Sequence, residues 1–560
     1  MTEERPRRRE GRTGVLVLVL SIVPLALQAS MVRAFGVNML IWDEFYYVPF
    51  VHLVRTGGDW SKWIFLQHNE HRMVPMKLVL APLSVWTSWS VVAEMYVSVA
   101  LVALTMWGLW RIFRPTSDRG ALAFLPLAFL LCNPAQYFNM LTGIQMAFYF
   151  TLLGMIWAFS FLQRGTLPGT VAAAASATLA SFSTATGFLV WPVGLLQLIL
   201  ARARKATVLV WSAAGLCCIL LYFWNYQSPG QISSRPIFVG IGATIRFFLA
   251  TVGAPLAGGS RSASTIIGGV VILLGLAWVI RDLRHGDLRN PVRAPLYALL
   301  ASGIIAAALV TIGRASFGLT QALESRYVTF TELAVVGLYA LAIGRTVPKP
   351  VTALFCSLLV AGLGVSSAHG IREARLWRSN QEALKTILLD YDRQPASALE
   401  LLYFPNDLAH YAPYLEHERL VAFHDRPPRS LLTDRGFVLA WGDARFPRRV
   451  AAGERTTGQV EVVNLSSETW PGLREAGGPA YAVRLGCRVL DPAGAEVMPL
   501  AERGELPGAV PAGARASISY RFEAPRRPGA YRLECDLVQE LNSWFSAHGN
   551  PKMTVDFIVG

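Results

Sequence analysis

The residue types best able to do chemistry gather in two short clusters early in the chain, Trp42-Asp43-Glu44-Phe45-Tyr46-Tyr47 and Gln67-His68-Asn69-Glu70-His71-Arg72. Both border apolar stretches, which places them at a membrane surface. Carboxylates held there, half shielded from water, are costly unless paired or used, and an acid of the Asp43/Glu44 pair suits a general base for a hydroxyl nucleophile. The plainer reading makes Asp43 a helix cap and the aromatics an interfacial belt. His68, Glu70 and His71 suggest a divalent cation, yet two histidines three apart with one acid between them do not complete a ligand set. Direct contact of substrate or phosphate by these histidines and Arg72 is therefore favoured over a metal, and no cofactor is firmly implied.

A second constellation is Gly313-Arg314-Ala-Ser-Phe-Gly318 followed by Glu324-Ser325-Arg326-Tyr327. Snorkelling arginines gather on the cytoplasmic side, whereas Arg314 and Arg326 fall in an external loop, where a lipid phosphate needs a bidentate partner. The loop Asn133-Pro-Ala-Gln136-Tyr-Phe-Asn139, continuing to Gly143-Ile-Gln145, adds uncharged hydrogen-bonding groups that suit sugar hydroxyls.

These residues need a membrane scaffold. The 560 residues are 53% hydrophobic and 16% charged, with a mean hydropathy of +0.39, too apolar for an ordinary soluble domain. A net charge of +14 would suggest nucleic acid in a soluble protein. However, residues 367–560 hold 23 basic and 24 acidic residues, so the surplus belongs to the apolar part and sits in its short loops. That pattern records membrane topology and argues against a nucleic-acid partner.

Eleven spans are expected, near 14–35, 92–110, 120–132, 146–162, 168–183, 187–201, 206–224, 265–280, 294–312, 328–344 and 350–366. The arginine-rich start places the N-terminus in the cytoplasm and makes 14–35 a retained span, not a cleaved signal. Residues 36–72 then form a long external loop. The Pro-broken stretch 73–89 reads as interfacial or re-entrant, and 238–258 as a helix along the outer surface. An odd number of spans puts everything after 366 outside. Residues 367–449 read as an external helical linker region, and 450–560, with period-two runs between Pro/Gly turns, as an all-β sandwich. Cys487 and Cys535 lie on two of its strands and are a candidate disulfide.

Residues 1–366 resemble the GT-C superfamily of integral-membrane glycosyltransferases, particularly bacterial members similar to the protein mannosyltransferases. The carriers are the many spans, the long first external loop with Asp43 and Glu44 just after the first helix, the 67–72 cluster, and Ser325-Arg326-Tyr327. The resemblance implies transfer of a sugar from a polyprenyl-phosphate donor to a glycan, lipid or protein acceptor at the outer face of the bacterial cytoplasmic membrane, with inversion at the anomeric carbon. Asp43 would be the general base and Glu44 the second acid. Arg326 and Arg314 would neutralise the departing phosphate, with His68, Glu70, His71, Arg72, Tyr327 and Gln145 around the same substrate. The C-terminal region resembles immunoglobulin-like modules, through Thr469-Trp470-Pro471 and Trp544-Phe545, and either binds an acceptor or caps the catalytic face. The competing classes are a transporter or flippase of lipid-linked glycan and a non-catalytic scaffold displaying the sandwich. Against the transporter, no internal repeat is evident.

Overall fold

The computed structural model describes residues 5–116, 121–227, 240–343, 349–403, 408–424, 431–476, 481–498, 502–540 and 542–560. It divides into two compact units, Met1–His424 and Asp425–Gly560, where the sequence reading places boundaries at 366 and 449. Position 366 lies inside one helix, Lys349–Leu389, because no internal proline separates its apolar first half from its amphipathic second half.

The first unit is helical. Helices α1 (Arg5–Phe35), α2 (Val48–Thr56), α3 (Ser61–Phe65), α4 (Val74–Trp86) and α5 (Val91–Phe113) are followed by α6 (Leu125–Leu131), α7 (Tyr137–Met140), α8 (Met146–Leu162), α9 (Leu167–Ser183) and α10 (Val190–Leu200). Then come α11 (Lys205–Phe223), α12 (Ile241–Gly253), α13 (Arg261–His285), α14 (Ala294–Arg314), α15 (Ser325–Ala342), α16 (Lys349–Leu389), α17 (Ala396–Leu399) and α18 (Leu408–His417).

Six helical segments among the described residues are long and apolar enough to cross a membrane: Val91–Thr116, Gly143–Leu162, Lys205–Phe223, Arg261–His285, Ala294–Phe317 and Thr352–Leu389. Helices also occupy the other five expected stretches. The seven-residue α6, inside expected span 120–132, rises only about 10 Å, a third of the hydrocarbon thickness. The described part of 238–258 contains α12, a 13-residue apolar helix.

Helix α15 is the axis of the packing. Every residue from Val328 to Ala342 is buried, as expected of a helix apolar on all sides. Small residues let its neighbour α14 approach backbone to backbone: a β-carbon at Gly337 would collide with the Leu300 backbone, and one at Gly303 with that of Ala334. This pair matters to function because Arg314 ends α14 and Arg326 begins α15.

The segment 36–72 is folded, not an open loop. Residues Trp42–Tyr47 form a 3-10 turn, and Phe45, Tyr47, Phe50 and Val51 join the main hydrophobic core. The aromatics are thus split, with Trp42 exposed and the others anchoring the segment.

In the second unit, β1 (Leu439–Arg445), β2 (Arg449–Val450), β3 (Arg455–Asn464), β4 (Val483–Leu490), β5 (Glu496–Met498), β6 (Gly504–Glu505), β7 (Arg515–Glu523), β8 (Gly529–Gln539), β9 (Ser543–Trp544) and β10 (Met553–Val559) make one sheet. Its order is β1-β3-β7-β6-β4-β8-β10-β2, with β5 on β4 and β9 on β8. Where two sheets are expected, the two-residue β6 pairs with both β7 and β4 and joins the halves into a continuous half-barrel. Alternation places Ala516, Ile518, Tyr520 and Phe522 of β7 inward. Trp470 is fully buried against Phe545 and donates its indole N–H to the Gly436 carbonyl at 2.8 Å. Cys487 and Cys535 are opposite each other in the β4–β8 register and are joined by a disulfide.

The α14–α15 contact is testable. Gly337→Val overpacks it, at about 1–3 kcal/mol or more, whereas Gly269→Val on α13 meets open space. Thermal unfolding of the full chain in detergent is expected to show a drop of several degrees for Gly337→Val and none for Gly269→Val; equal behaviour contradicts the packing account.

Candidate functional site

Three separate stretches converge on one cavity, and each is fixed by its backbone. In the first, Glu44 is only 4% exposed, and its two carboxylate oxygens accept the Ile41 N–H at 2.9 Å and the Ile144 N–H at 3.1 Å. One side chain therefore closes the 41–44 turn and ties it to the 142–145 loop. The Trp42 N–H donates to the Leu402 carbonyl at 2.8 Å, and Asn38 bridges the Val91 N–H and the Val421 carbonyl. Between these ties Asp43 is held exposed to the cavity.

In the second stretch, His68 and His71 exchange backbone hydrogen bonds at 2.7 and 2.8 Å, making a tight turn with Asn69 at φ +49°. Asparagine tolerates that left-handed conformation better than most residues. The Tyr46 and Tyr47 rings pack on the His68 imidazole, whose Nε2 is 3.5 Å from Asp43 Oδ2. His71 Nδ1 accepts the Ala185 N–H at 3.1 Å, which leaves Nε2 as its proton-bearing nitrogen, 3.7 Å from the Glu70 carboxylate. Arg72 secures the turn from below: it is 7% exposed and donates to the carbonyls of Phe65, Tyr222 and Trp224. Lys77 does the same for the end of α3, donating to the Trp63 and Leu66 carbonyls.

In the third, Asn139 donates to the Arg326 carbonyl at 3.1 Å and to Thr329 Oγ1 at 2.8 Å, Thr329 donates to Gln136 Oε1 at 2.7 Å, and Ser325 to the Ala135 carbonyl at 2.7 Å. Asn133, Gln136 and Asn139 are fully buried. The loop expected to meet sugar hydroxyls instead clamps the start of α15, because buried amides next to backbone without water must satisfy it. Arg326 is thereby set on the cavity wall, with Arg314 across the α14–α15 connection.

The cavity has a volume of about 1130 Å³. Of the residues singled out in the sequence, Asp43, His68, Glu70, His71, Gln145, Arg314, Arg326 and Tyr327 line it. Glu44 and Arg72 do not: each sits one residue from a wall residue but faces the opposite way, with its polar atoms occupied by backbone groups. Both are positioning residues. Sequence reading missed Trp42 and Phe138 as wall residues, and it missed an apolar wall of Ala306, Leu309 and Val310 from α14 with Phe148 and Phe330. The apolar wall carries no signal that distinguishes it from a lipid-facing helix side. Leu309 and Ile312 are 46% and 62% exposed while lining the cavity.

The charges are unequal around the wall. The adjacent His68 imidazole, by hydrogen bonding and charge, holds the Asp43 carboxyl below its ordinary range against the opposing effect of burial, with a smaller contribution from Arg326. Burial pushes His71 down, consistent with the neutral ring that its Nδ1 contact requires. Among the described residues neither Arg314 nor Arg326 is in an ion pair; their guanidiniums lie near the rings of Phe317 and Tyr327 at 5.6 and 5.3 Å. Among the described residues Arg326 Nε, Tyr327 OH, Gln145 Oε1 and Thr142 Oγ1 have no hydrogen-bond partner. Among the described residues no group of three His, Cys, Asp or Glu side chains is arranged to hold a metal ion.

No family model and no curated protein matches the chain. Among solved structures, the chain is similar at 18% identity to the CARDB domain of a Pyrococcus furiosus protein in complex with di-metal ions, covering 24% of this chain and 99% of that one with a TM-score of 0.16. A Listeria innocua β-glucosidase mutant in complex with laminaribiose aligns at 13% identity over 22% of this chain and 16% of that one, TM-score 0.14. A Pseudomonas fluorescens alkylpurine DNA glycosylase bound to DNA aligns at 12% identity over 83% and 99%, TM-score 0.17. Overlaps this poor carry no argument about fold or function.

The burial of Glu44 makes stability depend on pH. Burial raises its pKa from 4.5 to about 7, so its stabilising contribution is complete below pH 4.5 and is lost as pH rises through about 7, a change of about 3 kcal/mol. Glu44→Gln removes this dependence and leaves one backbone N–H without an acceptor, which costs about 1–3 kcal/mol at low pH. The unfolding temperature of the variant relative to the parent is expected to be lowest at pH 4.5 and to recover toward pH 8; parallel pH profiles contradict the assignment.

Proposed function

We propose that the protein is a GT-C-type membrane glycosyltransferase that moves a sugar from a polyprenyl-phosphate donor to a hydroxyl of a glycan, lipid or protein acceptor. The observation that carries this reading is the composition of one cavity wall: an ionised carboxylate, Asp43, shares the space with two guanidiniums, Arg314 and Arg326, that form no ion pair among the described residues. A catalyst that separates a phosphate from a sugar needs both, one to take a proton and the other to receive charge.

In the proposed step Asp43 accepts the proton of the acceptor hydroxyl. The hydroxyl oxygen forms its bond to the anomeric carbon as the bond from that carbon to the phosphate oxygen breaks, with inversion. The electron pair leaves with the phosphate, where Arg314 and Arg326 meet it; planar guanidiniums suit phosphate oxygens bidentately. His68 keeps Asp43 ionised, so the base is ready at any pH above the ordinary carboxylate range. The apolar α14 wall, exposed at Leu309 and Ile312, supports the reading because it offers a polyprenyl chain an apolar surface at the cavity. In this reading the chain is a multi-pass protein of the bacterial cytoplasmic membrane with the N-terminus inside. The cavity and the sheet unit then face the periplasm or exterior.

Asp43→Asn tests it. In proteoliposomes supplied with polyprenyl-phosphate sugar, the variant is expected to lose about 10²–10⁴-fold in transfer rate while folding as the parent does. Unchanged transfer contradicts the role of Asp43, and movement of lipid-linked sugar across the bilayer without covalent transfer contradicts the enzyme. His68→Ala is expected to move the acid limb of the rate profile upward toward 3.8, the ordinary Asp value.

A further inference from the structure

Trp42 combines properties that neither the fold nor the transfer step explains. Its backbone lies in the left-handed region at φ +44°, which a bulky side chain adopts only when its surroundings impose it. Those surroundings are the hydrogen bond from its own N–H to the Leu402 carbonyl and the Glu44 tie on Ile41 just before it. The result is an indole that is 47% exposed and lines the cavity immediately beside Asp43. A core-packing tryptophan would be buried, and an interfacial anchor needs neither strained backbone nor a rigid backing.

Trp42 has such a backing. Phe138, also on the wall, lies nearly parallel to it, with centroids 6.1 Å apart and an interplanar angle of 23°. Trp377 meets both rings edge-on at 6.0 and 5.2 Å. Three rings thus hold the tilt of one flat, electron-rich surface. The ligand face that complements an aromatic face is a row of weakly positive C–H groups, and a pyranose ring presents that on one side and hydroxyls at its rim. Thr142 and Gln145, on the same wall, carry buried oxygen atoms with no partner among the described residues, and these suit such hydroxyls.

We propose that Trp42, held by Phe138 and Trp377, is a stacking platform for a saccharide ring beside Asp43. The assignment of a sugar rests on the transferase reading, and it deepens that reading by naming the residue that orients the ring. The ring belongs either to a free acceptor saccharide or to the sugar of the lipid-linked donor, which share this chemistry.

Binding by the full chain in nanodiscs tests the platform in two arms. One arm is a printed saccharide array of hexoses, N-acetylhexosamines, deoxyhexoses, pentoses and uronic acids; the other is a set of farnesyl-phosphate-linked hexoses. The parent protein is expected to bind in at least one arm. Trp42→Ala and Trp42→Gly are expected to weaken that binding about tenfold or more, while Trp42→Phe stays within about threefold. Loss confined to the array assigns the platform to the acceptor, and loss confined to the farnesyl probes assigns it to the donor. Because glycine adopts positive φ without strain, Trp42→Gly is expected to keep the parent's unfolding temperature while losing binding, which a merely structural role would not produce. No binding by the parent in either arm, or unchanged binding in Trp42→Ala and Trp42→Gly, overturns the proposal. Binding is read without turnover, so a failure here is distinct from retained transfer in Asp43→Asn.

Discussion

The Glu44 carboxylate bonds to two backbone N–H groups a hundred residues apart, Ile41 and Ile144, and most of the cavity depends on it. Without that tie, neither the 41–47 turn nor the 142–145 loop has a fixed place relative to the other. The positions of Trp42, Asp43, Thr142 and Gln145 all follow from it. Burial of a charged acid is costly and pushes the Glu44 pKa up to about 7, and the two N–H donors offset part of that cost. The neighbourhood is built for it: a β-carbon on Gly143 would strike the Glu94 carboxylate, which lies in the same small void and accepts the Trp89 indole N–H at 2.9 Å.

The same device recurs around the cavity with opposite charge. Arg72 and Lys77 gather carbonyls at helix ends, and Asn139 with Gln136 and Ser325 holds the start of α15. Polar groups that pin backbone form one layer, and polar groups left free for a ligand form the next. On the cavity wall Arg326, Tyr327, Gln145 and Thr142 each keep a buried polar atom with no partner among the described residues.

Much of this was legible in the sequence. Charged and aromatic residues stand out against a background that is 53% hydrophobic, so the three stretches that build the cavity were found from composition. The direction of each side chain was not, since neighbours such as Asp43 and Glu44, or His71 and Arg72, differ in function only through which side of a tight turn they occupy. The amides at 133–139 were misread because, next to an apolar bundle, a group that pins backbone and a group that meets a sugar have the same residue type. The apolar wall on α14 is indistinguishable in composition from a lipid-facing surface. In the sheet unit the alternation of β7 was plain, whereas β6 is too short to carry a period, so the closure of the sheet was hidden. Cys487 and Cys535 were marked by their strands, but their opposition follows from the β4–β8 register.

In the proposed function the Asp43 carboxylate and the Arg314 and Arg326 guanidiniums serve one ligand. The most direct measurement is a single-particle structure of the full chain in nanodiscs with a polyprenyl-phosphate sugar carrying a non-transferable linkage. Phosphate density is expected about 3 Å from the guanidiniums of both Arg314 and Arg326, with the lipid chain along Leu309 and Ile312 and the sugar on the Asp43 side. Lipid phosphate bound elsewhere, with the cavity unoccupied at saturating ligand, would contradict the proposed function.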